Sequence, residues 1–493
     1  MTSAPIDPFA SATEMLAALR TKQASAVELL DLHVRRITRH NPGLNAIVEP
    51  DFERAKAQAQ AADAQRARGD AAPLLGLPMT LKESINVRGL RTTAGMEHWK
   101  DFRSEHDAPV TTRVKAAGAV VMAKTNVPQM LADWQSTNPV YGRTNNPWDV
   151  TRTPGGSTGG GAAALAAGLT PLEFGSDIGG SIRVPAAFCG VYGHRPSETA
   201  MPRSGQFPMP PMPNAAVVMG VQGPMARSAA DLELALDVAA GAEAGEDVAW
   251  RLTLPPARRE RLGDFRVAVL PSLDWMPVDG EVAVAVDAVA SRLSGLGAKV
   301  QVTQPEILGD HREHYALYLT LLAAITSARV PAAERSARLA VMRTRDDEWS
   351  LATQRGLEST ASDYLVWIAQ RERYRAAWRA FFSDWDIVLM PTFFAPAYPH
   401  WDKPMPSTPQ SIRKTIDING NPVLEELGLF WASVGTLAGQ PATAFPAGLT
   451  RGGLPIGLQA IGPYLEDRTP IRLAALVGKE IGGFTRPRGY DAD

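Results

Sequence analysis

Two serines embedded in glycine are the residues of this chain whose types and spacing could do chemistry. Ser181 follows the run DIGG at 177–180, and Ser157 lies in the glycine-rich stretch at 155–161. Glycine lets backbone N–H groups come close to whatever a neighbouring hydroxyl attacks. The pattern predicts Ser181 as a nucleophile beside an oxyanion hole, and therefore acyl transfer. A Gly-Gly-Ser turn without function is the alternative.

A serine nucleophile needs a base. None of the eight histidines lies in a serine-hydrolase context, and there is no G-x-S-x-G elbow. His194 is the nearest in sequence and is interpreted as structural. A lysine can replace histidine when burial keeps it neutral, and Lys82 follows the apolar run LGLPMTL. A solvated surface charge is the alternative for Lys82.

Ser157 supplies the hydroxyl that a lysine–serine pair would lack, because it can pass a proton between base and nucleophile. Its neighbouring glycines tolerate unusual backbone geometry. The stretch GGSTGGG is also compatible with a helix N-cap or a flexible loop. A phosphate-binding P-loop is disfavoured, since no Gly-Lys-Ser/Thr follows.

Composition narrows the class of protein. The 493 residues carry 50 Lys and Arg against 52 Asp and Glu, so no basic excess indicates nucleic acid or a membrane surface. The single cysteine, Cys189, allows no intramolecular disulfide and no cysteine-rich metal site. The N-terminus has no secretory pattern, and no apolar run approaches a membrane span. We expect a cytoplasmic protein, monomeric or homodimeric, that acts on a small molecule.

Helical and strand patterns alternate along the chain. Helices are predicted within 11–70, where Ser11 with Glu14 and Ser25 with Glu28 have capping-box spacing, and over 109–118, 280–299 and most of 312–385. Strands are predicted for the run ending at Lys82, for 119–126, 265–272 and 385–392, and twice within 439–462. Residues 196–216 form an irregular Pro- and Met-rich loop. This order predicts an α/β fold with a largely parallel sheet.

The combined motifs resemble the amidase signature family. The resemblance is carried by GGSTGG at 155–160, GSDIGGSIRVPAAFCGVYGHRPS at 175–197 and GLPMTLKESINVRG at 76–89. The two serines lie 24 residues apart, as in that family. Further similar segments are GAVVMAKTNVPQM, YGRTNNPWD, GPMARSAADLELALDVAAG and GLPIGLQAIGP. Together they cover about residues 10 to 480, most weakly over 240–375.

The resemblance implies roles residue by residue. Ser181 would be the nucleophile, Lys82 the base and Ser157 a bridging serine in a cis peptide. The oxyanion hole would be formed by the backbone N–H groups of Ile178, Gly179, Gly180 and Ser181, with Thr158, Asp177 and Arg183 as supporting residues. Thr158 stands where the family usually has serine, which keeps the hydroxyl and adds a methyl group. His194-Arg195 stands where the family more often has a lysine before proline.

The resemblance also implies a fold and a domain organisation. The family fold is a large central mixed β-sheet flanked by helices on both faces. We expect one domain over 1–493, in which 1–70 is an N-terminal helical segment and 73–235 the signature core. Residues 240–380 are a more variable, mostly helical region, and 385–493 complete the core. No metal or organic cofactor is expected.

The expected reaction is hydrolysis of amide C–N bonds through an acyl-enzyme. The Met-rich segment and nearby aromatics could form an adaptable apolar pocket, lined by Met201, Phe207, Met209, Met212, Phe393 and Phe394. Such a pocket favours bulky or aryl amides, with carbamates and esters as further substrates; ordinary loop packing is the alternative. The competing function is a glutamine amidotransferase subunit that produces ammonia for a partner chain. A non-catalytic binding protein is a third reading, disfavoured by the intact set of Lys82, Ser157 and Ser181.

Overall fold

The computed structural model describes residues 6–210, 212–401 and 414–491. Its helices are α1 (Ala12–Arg20), α2 (Ala26–Leu44), α3 (Phe52–Ala67), α4 (Pro109–Ala116), α5 (Gly159–Ala166), α6 (Arg183–Cys189), α7 (Ala229–Ala239), α8 (Gly280–Gly295), α9 (Arg312–Ser327), α10 (Ala332–Met342), α11 (Glu348–Leu357), α12 (Ala361–Asp384), α13 (Leu429–Thr436) and α14 (Arg468–Ile481). None of these helices combines the length and the apolar character needed to cross a bilayer.

The strands are β1 (Ile47–Pro50), β2 (Pro78–Lys82), β3 (Val120–Thr125), β4 (Thr137–Asn138), β5 (Gly142–Arg143), β6 (Leu172–Asp177), β7 (Tyr192–Arg195), β8 (Val221–Ala226), β9 (Arg266–Val269), β10 (Lys299–Val302), β11 (Ile387–Pro391), β12 (Thr415–Ile418), β13 (Asn421–Leu424), β14 (Ala442–Leu449) and β15 (Pro455–Ile461). Eleven of them form one sheet in the order β1-β3-β2-β6-β8-β7-β14-β15-β11-β9-β10. The pairs β4–β5 and β12–β13 are separate hairpins.

The sheet is mixed, which confirms the predicted fold class and corrects the expectation of a largely parallel sheet. Parallel pairing joins β2 with β3 and β6, and β9 with β10 and β11. The other neighbouring strands of the large sheet pair antiparallel. At its centre, β7 is joined to β8 and β14 to β15 without an intervening helix, so the strands of each pair can run antiparallel.

The hydrophobic core lies on both faces of this sheet, because alternate side chains of a strand point to opposite sides. On β11, Ile387 and Leu389 belong to one buried cluster, whereas Val388 and Met390 belong to the other. The first cluster contains the apolar faces of α1, α2, α7 and α14, and the second those of α9, α12 and α13. The sheet is therefore covered by helices on both sides.

Most predicted elements are present in the structure. Both N-terminal capping boxes form, at Ser11 and Ser25. The strand that ends at Lys82 is β2, and the two C-terminal strands are β14 and β15. The helical prediction for 11–70 missed β1, a four-residue edge strand between α2 and α3. It lies on β3 and is too short to show a period of its own.

The sheet brings two chemically important strand ends together. Strands β2 and β6 are parallel neighbours, with Thr80 opposite Glu173 and Leu81 opposite Phe174. Parallel strands end at the same edge of a sheet, and ligands bind at the carboxyl ends of strands in open α/β sheets. Lys82 ends β2 and Asp177 ends β6. The segment from Ser157 to Ser181 ends in the turn that follows Asp177, at this edge.

Candidate active site

Lys82 is completely buried at the end of β2. Its Nζ lies 2.6 Å from Ser157 Oγ and 3.0 Å from Ser176 Oγ, and it donates to the Ser176 carbonyl at 3.4 Å. Burial lowers the pKa of Lys82 to about 7, against the opposing effects of Asp177 and Glu173. A substantial fraction of this amine is therefore uncharged at neutral pH.

Ser157 follows a cis peptide bond between Gly156 and Ser157 and is 1% exposed. The glycines after it are the first turn of α5, so the stretch GGSTGGG belongs to a buried helix start rather than a flexible loop. Space around Gly156 is fully occupied: a Cβ there would lie 2.3 Å from the Asp133 carbonyl oxygen. This close packing fixes the backbone that carries Ser157.

Ser181 lies in the turn between β6 and α6, and it is 8% exposed. Its carbonyl oxygen accepts a hydrogen bond from the Thr158 N–H at 3.1 Å. Gly180 adopts a positive φ of 86°, which favours glycine and allows the sharp turn before the serine. The two serine segments are thus joined through the backbone, and Ser181 keeps a small exposed surface.

In the turn from Ile178 to Ser181, one backbone N–H group has an acceptor among the described residues and the others do not. The Gly180 N–H donates to Asp177 Oδ1 at 3.0 Å. Within the described part of the chain, the N–H groups of Ile178, Gly179 and Ser181 have no protein acceptor. Three donors in one short turn can therefore hydrogen-bond an incoming oxygen atom.

Asp177 and Arg183 hold this turn in shape. The guanidinium donates to both carboxylate oxygens, with Nε 3.0 Å from Oδ2 and Nη2 3.0 Å from Oδ1. Both residues are buried, and Arg183 also reaches Gln459 Oε1 at 2.9 Å. Burial alone would raise the pKa of Asp177, but Arg183 and the neighbouring Arg195 lower it to about 2. The Asp177 carboxylate therefore stays ionised, with both oxygens hydrogen-bonded to Arg183.

Thr158 places its methyl group against β6. A Cβ on Gly175 would lie 2.6 Å from both Thr158 Cγ2 and Oγ1, so only glycine fits opposite this threonine. Thr158 Oγ1 is buried and has no hydrogen-bond partner among the described residues. The added methyl group relative to serine is accommodated by contact with the strand.

Three residues near the turn that carries Ser181 were not predicted from the sequence. Ser176 contacts Lys82, and its position directly before Asp177 was the available signal. Tyr318 on α9 donates its hydroxyl to the Ile178 carbonyl at 2.9 Å. Leu429, the first residue of α13, lies against Gly179, where a Cβ would be 3.0 Å from Leu429 Cδ2. Tyr318 and Leu429 come from distant segments, and no local pattern relates them to Ser181.

The predicted pocket residues fall in different environments. Met201, Phe393 and Phe394 are at most 2% exposed and pack in the hydrophobic core. Phe207 and Met209 are half-buried, and their backbones bond to the segment just after Lys82, through Ser84 and Asn86. Met212 is 69% exposed.

His194 is buried, and its ring nitrogens contact Thr443 and Asp467. This placement agrees with its interpretation as structural. Within 6–210, 212–401 and 414–491, no group of three or more His, Cys, Asp or Glu side chains is arranged to hold a metal ion.

Known proteins are similar to this chain in both sequence and fold. The family model "Amidase" matches residues 28–470. Indoleacetamide hydrolase of Bradyrhizobium diazoefficiens is 33% identical over 93% of this chain and 84% of its own length. A glutamyl-tRNA(Gln) amidotransferase subunit of Azoarcus sp. is also 33% identical, over 93% of this chain and 95% of its own. The solved structure of 6-aminohexanoate cyclic dimer hydrolase has a TM-score of 0.79 and 28% identity, covering 98% and 99% of the two chains.

The matched region contains both serine segments, Lys82 and all eleven strands of the large sheet. Similarity extends over nearly the whole length of these relatives rather than a shared fragment. The chain therefore belongs to the amidase signature family, and it is a hydrolase of amide C–N bonds.

Proposed function

We propose that the chain hydrolyses bulky or aryl amides with Ser181 as nucleophile, Ser157 as proton relay and Lys82 as base. The observation that supports this most strongly is the 2.6 Å contact between Lys82 Nζ and Ser157 Oγ in a fully buried site. The hydrogen-bond partners of Nζ are hydroxyls and a carbonyl, not a carboxylate. A lysine in these surroundings can lose its proton near neutral pH, and so accept one from a hydroxyl.

The reaction runs in two halves. Neutral Lys82 takes the proton of Ser157, which takes that of Ser181, while Ser181 Oγ bonds to the amide carbon. As the tetrahedral intermediate collapses, the C–N bond breaks and the relay returns a proton to the leaving nitrogen. Water then gives a proton to the relay as it attacks the Ser181 ester. The bond between the acyl carbon and Ser181 Oγ breaks, the relay returns the proton to Oγ, and the carboxylic acid leaves. Protons balance in each half, so no cofactor is required.

The turn before Ser181 stabilises the negative charge in both halves. The N–H groups of Ile178, Gly179 and Ser181 are the donors available to the developing oxyanion, whereas that of Gly180 is engaged by Asp177. One such preorganised donor contributes about 3 kcal/mol to transition-state stabilisation. The Asp177–Arg183 pair supports the turn and takes no part in proton transfer.

The surroundings of Gly179 favour a bulky apolar acyl group. The half-buried side chains of Leu429 and Ile178 adjoin this glycine, whereas Tyr318 is fully buried and turns only its hydroxyl towards it. Apolar side chains such as these bind aryl groups by burial of surface. Phe207 and Met209 lie next to the segment after Lys82. Carbamates and activated esters fit the same acyl-enzyme chemistry.

The second candidate function is ammonia production from glutamine for a partner chain, as the resemblance to amidotransferase subunits allows. A glutamine site must hold an ammonium and a carboxylate group. The apolar side chains at Gly179 favour the amidase. A glutaminase assay, with gel filtration of the purified chain, separates the two functions: glutamine hydrolysis exceeding aryl amide hydrolysis would support the amidotransferase function.

Ser181→Ala should lower kcat on an aryl amide by at least about 1,000-fold, because no acyl-enzyme can form. Labelling by a fluorophosphonate should be lost at the same time. Ser25→Ala, which changes only the cap of α2, is the control and should keep both activities. Near-wild-type turnover in Ser181→Ala would refute the assignment of the nucleophile.

A further inference from the structure

Gly220 is a glycine that neither the backbone nor the packing requires. Its φ lies outside the left-handed region, so a residue with a side chain could adopt the same conformation. Apart from its chain neighbours, the one atom of the described residues within 4 Å of a Cβ built on Gly220 is Ile178 Cδ1, at 3.8 Å. That distance is an ordinary van der Waals contact. The missing side chain therefore leaves open space beside Ile178.

The glycines of α5 differ from Gly220 in this respect. A Cβ on Gly160 would lie 2.3 Å from the Asn126 backbone nitrogen, and one on Gly161 would lie 2.7 Å from Glu173 Cγ. Close packing excludes a side chain at both of those positions. At Gly220 a side chain would fit, so the space that its absence leaves is free for an occupant from outside the chain.

The strand register places Gly220 beside the turn that carries Ser181. Strands β6 and β8 pair antiparallel, and the pair at this end of the ladder is Asp177 with Val221. Ile178 follows Asp177 and Gly220 precedes Val221, so these two residues face each other immediately beyond the ladder. The Ile178 N–H is one of the proposed oxyanion donors. The open space therefore adjoins the place where the scissile carbonyl would lie.

The surroundings of this space are apolar and accessible. Val218 and Met219 belong to the buried cluster against which Ile178 and Leu429 pack. Ile178 and Gly220 are themselves half-buried, so the space between them reaches solvent. An apolar group can enter it and bury surface against Ile178.

The segment before Gly220 is held by buried charged side chains. Met219 is fully buried and has a φ of 69°, which is disfavoured for a residue with a side chain. Its N–H donates to Glu198 Oε2 at 2.8 Å, and its carbonyl accepts a hydrogen bond from the Arg195 guanidinium. Glu198 is in turn paired with Arg371 of α12. These contacts fix the backbone that borders the space.

We propose that Gly220 is a specificity-determining residue, and that the space left by its missing side chain receives the acyl group of a bulky or aryl amide against Ile178. This inference rests on the proposed function and assigns its acyl subsite. A side chain at position 220 would occupy the place of a large acyl group. The carbonyl of an amide with a small acyl group would still reach the N–H donors of the turn. Position 220 therefore limits the size of the acyl group that the enzyme accepts.

The test is Gly220→Leu, assayed with two anilides that differ only in the acyl group, acetyl and benzoyl. The ratio of kcat/KM for the benzoyl anilide to that for the acetyl anilide should fall at least about tenfold, because the leucine fills the space. A small fluorophosphonate should still label Ser181. Gly295→Leu is the matched control, because Gly295 also lacks a left-handed φ and close contacts but lies exposed at the end of α8. Its ratio should equal that of the wild type.

A compensating substitution separates loss of space from loss of structure. In Gly220→Leu, the further change Ile178→Ala removes the side chain that faces the leucine, so the benzoyl-to-acetyl ratio should rise again. A general defect of folding would be made worse by the second substitution, and the ratio would not recover. Such a result would count against the inference.

Gly220→Ala provides a smaller variant should Gly220→Leu not fold, and its ratio should fall in the same direction by less. An unchanged ratio in folded Gly220→Leu, or in Gly220→Ala if only that variant folds, overturns the inference. Near-wild-type turnover in Ser181→Ala, or a wild-type protein that hydrolyses neither anilide, would instead refute the proposed function itself.

Discussion

At the scale of single residues, the site depends on an amine kept out of water. Lys82 has hydroxyl partners on two sides and a pKa lowered by burial to about 7. Asp177, at the end of the neighbouring strand, has its pKa lowered to about 2 by Arg183 and Arg195. One edge of the sheet therefore holds the weakly basic amine of Lys82 and the ionised carboxylate of Asp177.

The wild-type pH profile follows from this placement. Because the active form of Lys82 is neutral, kcat/KM should rise with pH through an apparent pKa near the value of about 7. Below that pH, activity should be proportional to the remaining fraction of neutral Lys82. Stopped assays on an aryl amide across the pH range measure this directly. A flat profile through neutral pH would contradict a lysine base.

Lys82→Arg should abolish the rise of kcat/KM with pH. A guanidinium group stays protonated in proteins, so it cannot accept the Ser157 proton. We expect kcat to fall by at least about 100-fold throughout the measured pH range, with circular dichroism showing a folded protein. Lys56→Arg is the matched control, since Lys56 only pairs with Asp31 at the surface. Recovery of activity at high pH in Lys82→Arg would argue against the proposed role.

At the scale of secondary structure elements, α9 connects the region predicted to be variable, 240–380, to the turn that carries Ser181. The Tyr318 hydroxyl donates to the carbonyl of Ile178, the first residue of the turn. The preceding tyrosine of the helix, Tyr315, donates to the Glu426 carbonyl instead. Two residues on one helix face thus support two different loops.

Tyr318→Phe should lower kcat by about tenfold with little change in KM. Loss of this hydrogen bond costs about 1 kcal/mol and releases the turn that carries the oxyanion donors. Tyr315→Phe removes a comparable hydrogen bond from the same helix and should leave kcat within about twofold. Steady-state kinetics and melting temperatures of both variants distinguish loop support from general destabilisation. Equal kinetics in the two variants would show that Tyr318 has no special role.

The sequence predicted those parts of the site that are local. The apolar run before Lys82 is typical of a buried strand, and β2 ends at that residue. Strand β6 was not predicted, because LEFGSD contains a glutamate, a glycine and an aspartate that resemble a polar turn. The buried position of Glu173 becomes intelligible only when Thr80 and Thr125 are brought beside it by neighbouring strands.

The surroundings of Gly179 could not be predicted in the same way. Met201 and Phe393 have suitable side chains, but both are in the core. The groups that adjoin Gly179 come from α9 and α13, more than a hundred residues further along the chain. Side-chain type identifies what could line a pocket, whereas tertiary packing decides what does.

At the scale of the whole molecule, a buried arginine connects the N-terminal segment to the core. Arg227, after β8, is 4% exposed. It donates to the carbonyls of Leu165 and Thr170 at the end of α5, and to those of Phe9 and Ala10 before α1. The N-terminal segment is thereby attached to the helix that follows Ser157.

Arg227→Met should destabilise the protein by about 3 kcal/mol or more. The substitution keeps much of the side-chain volume and leaves several buried carbonyls without a donor. Chemical denaturation measures the loss, and kcat of the remaining folded enzyme should change little. Arg261→Met is the control, because Arg261 is exposed and pairs only with Asp264. A stability equal to wild type would show that the carbonyls find other donors.

The glycine packing around Ser157 restricts where this enzyme can be re-engineered. A single methyl group at Gly156, Gly160 or Gly161 would collide with backbone or with Glu173. Random mutagenesis there should yield mostly inactive clones, whatever the substrate used for selection. Libraries at the half-buried positions Leu429, Phe207 and Met209 leave the proposed proton relay intact. On the proposed function, new specificities are therefore to be sought at these positions, while the glycines around Ser157 are kept unchanged.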